Sequence, residues 1–504
     1  MHKYICYISL EIMKSRSFGT KTPLLLLAVC MMAGIVVGAS VTIKMPLWLM
    51  LSGMIIVTLS LGKHELLQSA AIMVCFVLLG LLLMMRQKET VRVEWPTEEV
   101  RYEAVVLSEP VEKPKTMAID IMLTESGRRL KCYLYKDARS RKVRIGDGLI
   151  IQSRIRQNSE WKKGTFDYRR YLEIHGFTGS TFVSSWKWRK SQVSLKHVSR
   201  LERTRLYFLK LRSRLLSRIH LEDEGAYAVV AAMTLGDKSA LTQELKEVYS
   251  VTGASHILAL SGLHLGIIYT LLSFFVFRRW QTLSQLLLVL CIWAFVFLVG
   301  MSTSVVRSAV MLSTYALFSL GQRDKMSVNT LAFTAIVMLM INPMSLFDVG
   351  FQMSYMAVFS ILLFLPLFES FVSHDFMMSH RIVKWGWGMV TVSYAAQIGV
   401  APLIAYYFGR FSTYFLLTNF IVVPAAVVII LLSLVVMMIP SLAYLLLYVV
   451  SLLNTVLTTI ARIPGASIDG LHPTIIQTTM IYVIIVAVYG LVLRLQSLHI
   501  AKPT

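Results

Sequence analysis

The chain has few charged residues and few cysteines, and each shortage excludes a class of protein. Only 15% of its 504 residues are charged, whereas 56% are hydrophobic and the mean hydropathy is +0.64. A soluble globular domain carries more charge than this. The five cysteines are scattered, four of them in or beside apolar segments, which excludes a disulfide framework and a CxxC metal site. The composition indicates a polytopic α-helical membrane protein.

Sequence motifs for ATP binding and for metal-dependent hydrolysis are also missing. The chain contains no G-x-x-x-x-G-K-[ST] phosphate loop and no HExxH pair of histidines. Any motor for transport would therefore come from another protein. We predict no enzymatic activity, no cofactor and no bound metal.

Acidic residues are outnumbered, and the imbalance is local. The chain has 50 Lys and Arg residues against 28 Asp and Glu, a formal net charge of +22. More than half of this excess lies in one polar block, residues 86–224. Such a block attracts either a polyanion or an anionic lipid surface, and charge alone favours neither.

Apolar runs of roughly 17 to 25 residues, about the length that crosses a bilayer, lie on both sides of this block. They predict about 12 spans, the first of which we expect to be retained rather than cleaved as a signal peptide, since two more follow closely. The runs are residues 22–39, 46–62, 68–85, 255–277, 284–300, 304–320, 327–342, 351–367, 385–409, 413–439, 442–463 and 475–493.

The basic residues of the short loops orient these spans, because Lys and Arg prefer the cytoplasmic side. Alternation from a cytoplasmic N-terminus places the polar block outside the membrane and the C-terminus inside. It also places four basic pairs inside: Arg278 with Arg279, Arg323 with Lys325, Arg381 with Lys384, and Arg494 with Lys502.

Five short segments with alternating apolar and polar residues occupy the polar block: residues 100–107, 117–124, 129–135, 149–155 and 178–186. Five short strands between turn signals favour a small β-barrel, for which we prefer an OB-like fold. Basic grooves with aromatic residues bind single strands in such barrels, although each aromatic here also suits a core or a membrane belt. The predicted contacts are Arg129, Lys131, Tyr133, Arg154, Arg156, Trp161, Lys162 and Lys163.

Two segments join the polar block to the later spans. Residues 201–219 alternate leucine with arginine or lysine, which predicts a basic amphipathic helix on the outer membrane surface. Residues 225–235 are apolar but too short to span, which predicts a re-entrant segment.

The run GASHILALSGLHLG at residues 253–266 places two histidines and two serines in an apolar stretch. On a continuous helix, Ser255, Ala259, Gly262 and Gly266 would form a small-residue face for close helix packing. His256 and His264 are too far apart along such a helix to bind one metal. His264 either bonds another helix or borders a wet cavity.

A more specific alternative is that this run belongs to the active site of an intramembrane serine hydrolase. Ser261 or Ser255 would be the nucleophile, His256 or His264 the base, and Asp237 its orienting partner. The sequence around Ser261 has no nucleophile elbow, which disfavours this alternative.

Polar residues also lie within later spans: Arg307, Asp348, Gln352, Gln397 and Asn419. Each alone is explained by a hydrogen bond between helices. Together with His256, Ser261 and His264 they predict a polar path through the bundle, because lipid-facing positions do not tolerate such groups. One arginine and several amides suit the passage of an anion.

The histidine run resembles the signature of the ComEC family of competence proteins, and further stretches resemble the family in the same order. They are GTFDY at 164–168, LGD at 235–237, SVVR at 304–307, DVGFQMS at 348–354 and FGRFS at 408–412. The resemblance implies a bacterial inner-membrane channel for transforming single-stranded DNA, with an outer OB-like domain. It also implies a DNA receptor and a cytoplasmic helicase or single-strand-binding proteins as partners, and it leaves a homodimer open.

Two departures from the family stand out. Thr303 replaces a proline common before the SVVR stretch, and the metallo-β-lactamase-like domain of many members is not found before Thr504. We therefore expect that another protein degrades the second strand or that the duplex is opened in another way. The predicted divisions are a membrane region (1–85), an outer domain (86–200), an interfacial segment (201–250), a channel domain (251–493) and a cytoplasmic tail (494–504).

Overall fold

The computed structural model describes residues 22–41, 47–60, 64–160, 167–194, 198–219, 221–274, 281–320 and 328–500. These residues form a bundle of α-helices and a β domain inserted between two of them. The helices are α1 (Pro23–Ser40), α2 (Leu47–Ser60), α3 (Glu65–Val91), α4 (Tyr168–Ile174), α5 (Arg200–Leu216), α6 (Glu224–Leu235), α7 (Gln243–Val251), α8 (Ser255–Leu258), α9 (Gly262–Ser273), α10 (Gln281–Leu298), α11 (Thr303–Leu320), α12 (Val328–Ile341), α13 (Val349–Glu369), α14 (His374–Ser379), α15 (Arg381–Phe408), α16 (Phe415–Met438), α17 (Ala443–Arg462) and α18 (Ile475–Ile500).

Seven helical stretches in the described part of the chain are apolar and long enough to cross a membrane. They comprise α1, α3, α13, α15, α16, α17 with the turn before it, and α18, whereas α2, α6, α9, α10 and α12 are apolar but shorter. The chain is therefore a polytopic membrane protein, as its composition predicts. The number of about 12 spans stays a prediction.

The β domain follows α3 directly, and we call the end of the bundle that bears it the domain end. Its strands are β1 (Val100–Val106), β2 (Val111–Glu112), β3 (Thr116–Leu123), β4 (Arg129–Tyr135), β5 (Gly148–Ser153), β6 (Ile155–Gln157), β7 (Phe177–Val183) and β8 (Trp188–Lys190). They pair in the order β6-β7-β4-β3-β1-β5-β8, with β2 beside β3. Each of the five predicted strands overlaps an observed strand.

The apolar and polar residues that alternate along these segments of the sequence correspond to buried and more exposed side chains in the structure. On β4, Leu130, Cys132 and Leu134 are buried in the core, whereas Arg129 and Lys131 point away from it. Burial in this apolar core raises the pKa of the Cys132 thiol. On β4 the core thus lies on one face of the strand, and Arg129 and Lys131 lie on the other.

One continuous segment supplies both the first strand of this order, β6, and the last but one, β5. β5 pairs with β1, β6 pairs with β7, and only Arg154 separates β5 from β6. Ser153 Oγ lies 2.7 Å from Thr181 Oγ1 across this junction. The pairing therefore returns to its starting segment instead of leaving both edges open.

Helix α5 lies between the β domain and the bundle. Its Leu206 and Leu209 pack on Val105 and Met122 of the β domain, and Arg212 donates a hydrogen bond to the carbonyl of Val299 at the end of α10 (3.4 Å). The sequence correctly predicts an amphipathic helix here. Protein covers Leu206, Leu209 and Leu216, whereas Leu201 and Tyr207 are exposed. The predicted position on the outer membrane surface stays a prediction.

Helix α6 occupies the middle of the bundle. Its residues from Ala228 to Leu235 are all buried, and they pack against α16 and α17. This helix holds the segment for which the sequence predicts re-entry. Its burial in protein is compatible with that prediction, since a short apolar helix avoids exposing its ends to lipid.

The closest helix crossing joins α1 and α3. A Cβ added at Gly34 would lie 2.0 Å from the Val77 carbonyl oxygen, and one at Gly80 would lie 2.2 Å from the Met31 carbonyl oxygen. At the domain end of this pair, Lys88 Nζ donates to the carbonyl of Gly38 (2.7 Å), satisfying an otherwise free group at the end of α1. Small residues permit this approach, as in small-xxx-small helix pairs.

The predicted continuous helix over residues 255–277 is wrong. The short helix α8 ends at Leu258, Ala259 is extended (φ −94°, ψ 121°), and α9 begins only after Ser261. Ser255, Ala259, Gly262 and Gly266 therefore do not share one helical face. Hydropathy favours a span here, but it carries no information on where the backbone leaves the helix.

We expect Gly34→Ala to lower the thermal unfolding midpoint of the purified protein in detergent. The added methyl would overlap a carbonyl of α3, and overpacking of this kind costs about 1–3 kcal/mol. Gly53→Ala is the matched control, because no atom lies within 4 Å of its added Cβ. Equal midpoints for the two variants would contradict the close crossing.

Candidate channel site

A buried ion pair lies at the domain end of α11 and α13. Arg307 of α11 is only 3% exposed, and its Nη1 lies 3.8 Å from Oδ1 of Asp348. Asp348 is the N-cap of α13, and the same oxygen accepts the N–H of Phe351 (2.8 Å). Two of the polar residues predicted from the sequence thus come together.

The β domain docks at this ion pair. His175, which follows α4, places Nε2 3.9 Å from Oδ2 of Asp348. Asn342 donates to the carbonyl of Ile174 (3.3 Å), and the Arg170 guanidinium lies 4.3 Å from the centre of the Phe347 ring. The DVGFQMS stretch and helix α4 with the residue after it therefore meet at one contact between the β domain and the bundle.

Gln352 adds a third helix to this junction. Its Oε1 accepts the hydroxyl of Tyr407 on α15 (2.7 Å), and its Nε2 donates to the carbonyl of Leu346 (2.9 Å). We call the set Arg307, Asp348, Gln352, His175 and Tyr407 the polar junction. It connects α11, α13, α15 and the β domain.

Ser261 and His264 form a cap at the start of α9. The Ser261 N–H donates to His264 Nδ1 (3.2 Å), and Ser261 Oγ lies 3.1 Å from the same nitrogen. His264 is 1% exposed, and its Nε2 has no hydrogen-bond partner among the described residues. No carboxylate of the described chain orients the ring, which disfavours the serine hydrolase.

The rest of the histidine run faces different surroundings. His256 is exposed, with Nδ1 3.0 Å from the Gly253 carbonyl oxygen, and Ser255 is exposed as well. A Cβ at Gly262 would lie 3.3 Å from Ser308 Oγ, whereas nothing lies within 4 Å of one at Gly266. Of the predicted packing glycines, only Gly262 therefore approaches another helix.

Gln397 and Asn419 lie on α15 and α16. Asn419 donates to Ser393 Oγ (3.2 Å), a bond between helices that suffices to explain the amide. Gln397 is half-buried. Neither is bonded to the polar junction, so the path predicted through all of these residues stays a prediction.

The basic residues predicted to bind nucleic acid are largely engaged within the protein. Arg129 pairs with Glu202 of α5, and Lys131 Nζ lies 2.5 Å from Asp120 Oδ1. Burial alone would lower the pKa of Lys131, but the Asp120 carboxylate outweighs it and raises the pKa. Lys131 is therefore charged at neutral pH, with a carboxylate already beside it.

The remaining predicted contacts differ in exposure. Tyr133 is buried and stacks on Phe182 at 4.7 Å between ring centres. Arg156 lies 5.0 Å from the same ring, and Arg154 pairs with Glu160 (3.1 Å) at the surface. Trp161, Lys162 and Lys163 lie outside the described residues.

Sequence reasoning missed a second ionic contact at the domain end. Arg410 pairs with Glu247 (2.8 Å) and with Asp469 (2.5 Å), beside two short strands, β9 (Arg410–Ser412) and β10 (Ser467–Asp469). The FGRFS stretch pointed to Arg410, but its partners are remote in sequence. His175 and Tyr407 were missed for the same reason.

Comparison with known proteins identifies the bundle. The Competence protein family model matches residues 233–495, more than half of the chain. The chain belongs to this competence protein family. The matched residues include Arg307, Asp348 and Gln352 and leave the β domain outside, and the resemblance to ComEC predicted from the sequence is confirmed.

Two curated relatives are similar over part of their length. ComE operon protein 3 of Bacillus subtilis (strain 168) is 32% identical over 268 residues, 52% of this chain and 31% of that protein. An uncharacterized protein of Aquifex aeolicus (strain VF5) is 33% identical over 186 residues, 37% of this chain and 41% of that protein. The chain thus spans less than half the length of either. No solved structure matches it.

We expect His264→Phe to destabilise this competence family protein more than His256→Phe. Phenylalanine keeps a ring but leaves the Ser261 N–H without its acceptor, a loss of about 1–3 kcal/mol for a buried group. His256 is the control because its ring is exposed. Thermal unfolding in detergent measures both, and an unchanged midpoint for His264→Phe would contradict the capping role.

Proposed function

We propose that the protein is an inner-membrane channel that passes single-stranded transforming DNA into the cytoplasm during natural competence. The match of residues 233–495 to the competence family carries this proposal, and the name of the Bacillus subtilis relative is in keeping with it. The polar junction adds a physical argument. An arginine and an amide between helices suit an anionic strand better than a ring of carboxylates would.

We propose that the β domain is an extracytoplasmic OB-like barrel that receives the strand. The parallel pairing of β4 with β7 and the continuity of β5 and β6 support a closed five-stranded arrangement. Its predicted basic contacts are partly used in internal pairs, so we assign strand binding to exposed positions such as Arg154 and to residues 161–163.

We place the N- and C-termini in the cytoplasm. The polar contacts with the β domain support this orientation, since the start of α13 and the end of α12 both lie at the domain end. Of the basic residues predicted to be cytoplasmic, the described ones, Arg381, Lys384 and Arg494, then lie at the opposite end of the bundle. A DNA receptor, a cytoplasmic helicase and single-strand-binding proteins are the proposed partners.

A transporter for another anion is the alternative from a different class. Arg307 would serve a small anion as well as a strand, because both need a compensating cation in an apolar bundle. The basic β domain favours the strand, since a small anion needs no extended receiving surface. We propose no catalytic activity for the described residues.

Deletion of the gene in the source organism should abolish the entry of labelled DNA into the cytoplasm while leaving DNA bound at the surface. Protection of the label from added nuclease separates the two pools. Re-expression of the intact chain is the control. Unchanged entry and transformation after deletion would contradict the proposal.

A second measurement separates the strand from a small anion. The purified full chain should bind a single-stranded oligonucleotide with an affinity that falls steeply as salt rises, because each phosphate contact releases counterions. A small-anion carrier would bind the oligonucleotide weakly and without this dependence.

A further inference from the structure

Arg307 is buried with too few partners for its charge. Its Nε has no hydrogen-bond partner among the described residues, and the 3.8 Å separation between Nη1 and Asp348 Oδ1 is longer than a hydrogen bond. Holding a guanidinium away from water in this way costs several kcal/mol. An additional anion beside it would offset that cost.

The guanidinium also lies against the N-terminus of α13, which is 21 residues long. A Cβ added at Gly350 would lie 3.0 Å from Asp348 Oδ1, 3.5 Å from Arg307 Nη2 and 3.8 Å from Nη1, so the missing side chain of residue 350 leaves a space that both the carboxylate and the guanidinium line. The first N–H groups of a helix lack intrahelical acceptors and carry partial positive charge. Two positive groups therefore face the same space.

The Asp348 carboxylate lies beside the Arg307 guanidinium, the N-terminus of α13 and the β domain. Asp348 Oδ1 accepts the Phe351 N–H (2.8 Å), and Oδ2 faces His175 at 3.9 Å. Asp348 is thus divided among the helix N-terminus, Arg307 and the β domain. The formal charges of Arg307 and Asp348 cancel, which leaves the partial positive charge of the helix N-terminus.

We propose that Arg307 and the first turn of α13 form a binding site for one phosphate group. A guanidinium fork and a helix N-terminus are each suited to phosphate oxygens. On the proposed function, on which this inference rests, the phosphate is a phosphodiester of the strand as it passes from the β domain into the bundle. Asp348 is a positioning residue that holds Arg307 when the site is empty and competes with the phosphate.

The test uses the full chain in a neutral detergent and a fluorescent single-stranded oligothymidylate. Arg307→Gln should weaken binding about tenfold at low salt. The negative slope of the logarithm of the association constant against the logarithm of the salt concentration should become shallower by about 0.7, the value for one phosphate contact on a single strand. Gly350→Ala should weaken binding without any change of charge, because its methyl fills the space between Asp348 Oδ1 and Arg307 Nη2.

Asp348→Asn should act in the opposite direction. Asparagine still caps a helix, but it removes the competing negative charge, so the oligonucleotide should bind several-fold more tightly. A purely structural ion pair predicts instead that Arg307→Gln and Asp348→Asn weaken binding alike. Arg462→Gln, an exposed substitution at the domain end, is the control for loss of one positive charge.

Two further arms identify the source of the phosphate. A methylphosphonate oligothymidylate, whose backbone is uncharged, should bind wild type and Arg307→Gln equally. Nanodiscs containing phosphatidylglycerol should compete with the oligonucleotide only if a lipid headgroup is the ligand. Such competition, lost in Arg307→Gln, would support the phosphate site while assigning it to lipid.

The outcomes for the site and for the channel are distinguishable. Steep, salt-dependent binding of the oligonucleotide that is equal in wild type, Arg307→Gln and Gly350→Ala would overturn the site and leave the proposed channel intact. The oligonucleotide could instead bind weakly, and inorganic phosphate could displace it from wild type but not from Arg307→Gln. This result would support the site and contradict a path for DNA.

Discussion

The burial of Arg307 beside the N-terminus of α13 is the constraint on which the domain end of the bundle depends. A cation in an apolar environment requires a nearby anion, and Asp348 is the carboxylate within reach. Because Asp348 also caps α13 and faces His175, the same group fixes α11, α13 and the β domain relative to one another. Displacing α11 or α13 would leave the charge on the other helix uncompensated.

The rest of the bundle supplies a rigid frame around this junction. Helices α1 and α3 cross so closely at Gly34 and Gly80 that neither position has room for a side chain, and α6 is buried among α16 and α17. Dense packing of this kind permits discrete arrangements rather than continuous deformation. The broken segment between α8 and α9 is an exception, because its extended residues are held by a local cap instead of a helical ladder.

The β domain is rich in basic residues, but part of their charge is already paired with carboxylates inside the protein. Arg129 and Lys131 point away from the core, as alternation along β4 predicts, yet each meets a carboxylate. Arg129 reaches Glu202 of α5, so part of the basic surface holds the domain against the helix that leads to the bundle. Only charges left at the surface remain available to a polyanion, which reduces the binding area that composition suggests.

The sequence by itself determined the polytopic membrane class, the five principal strands and the polar residues worth examining. These follow from hydropathy and from period-two alternation, which depend only on neighbours in the chain. The break at Ala259 and the convergence of Arg307, Asp348 and His175 were decided by tertiary structure. Hydropathy does not report backbone direction, and contacts between residues that are distant in the chain leave no periodic trace. The histidine run consequently became a helix cap, and the charged centre lies where the β domain meets the bundle.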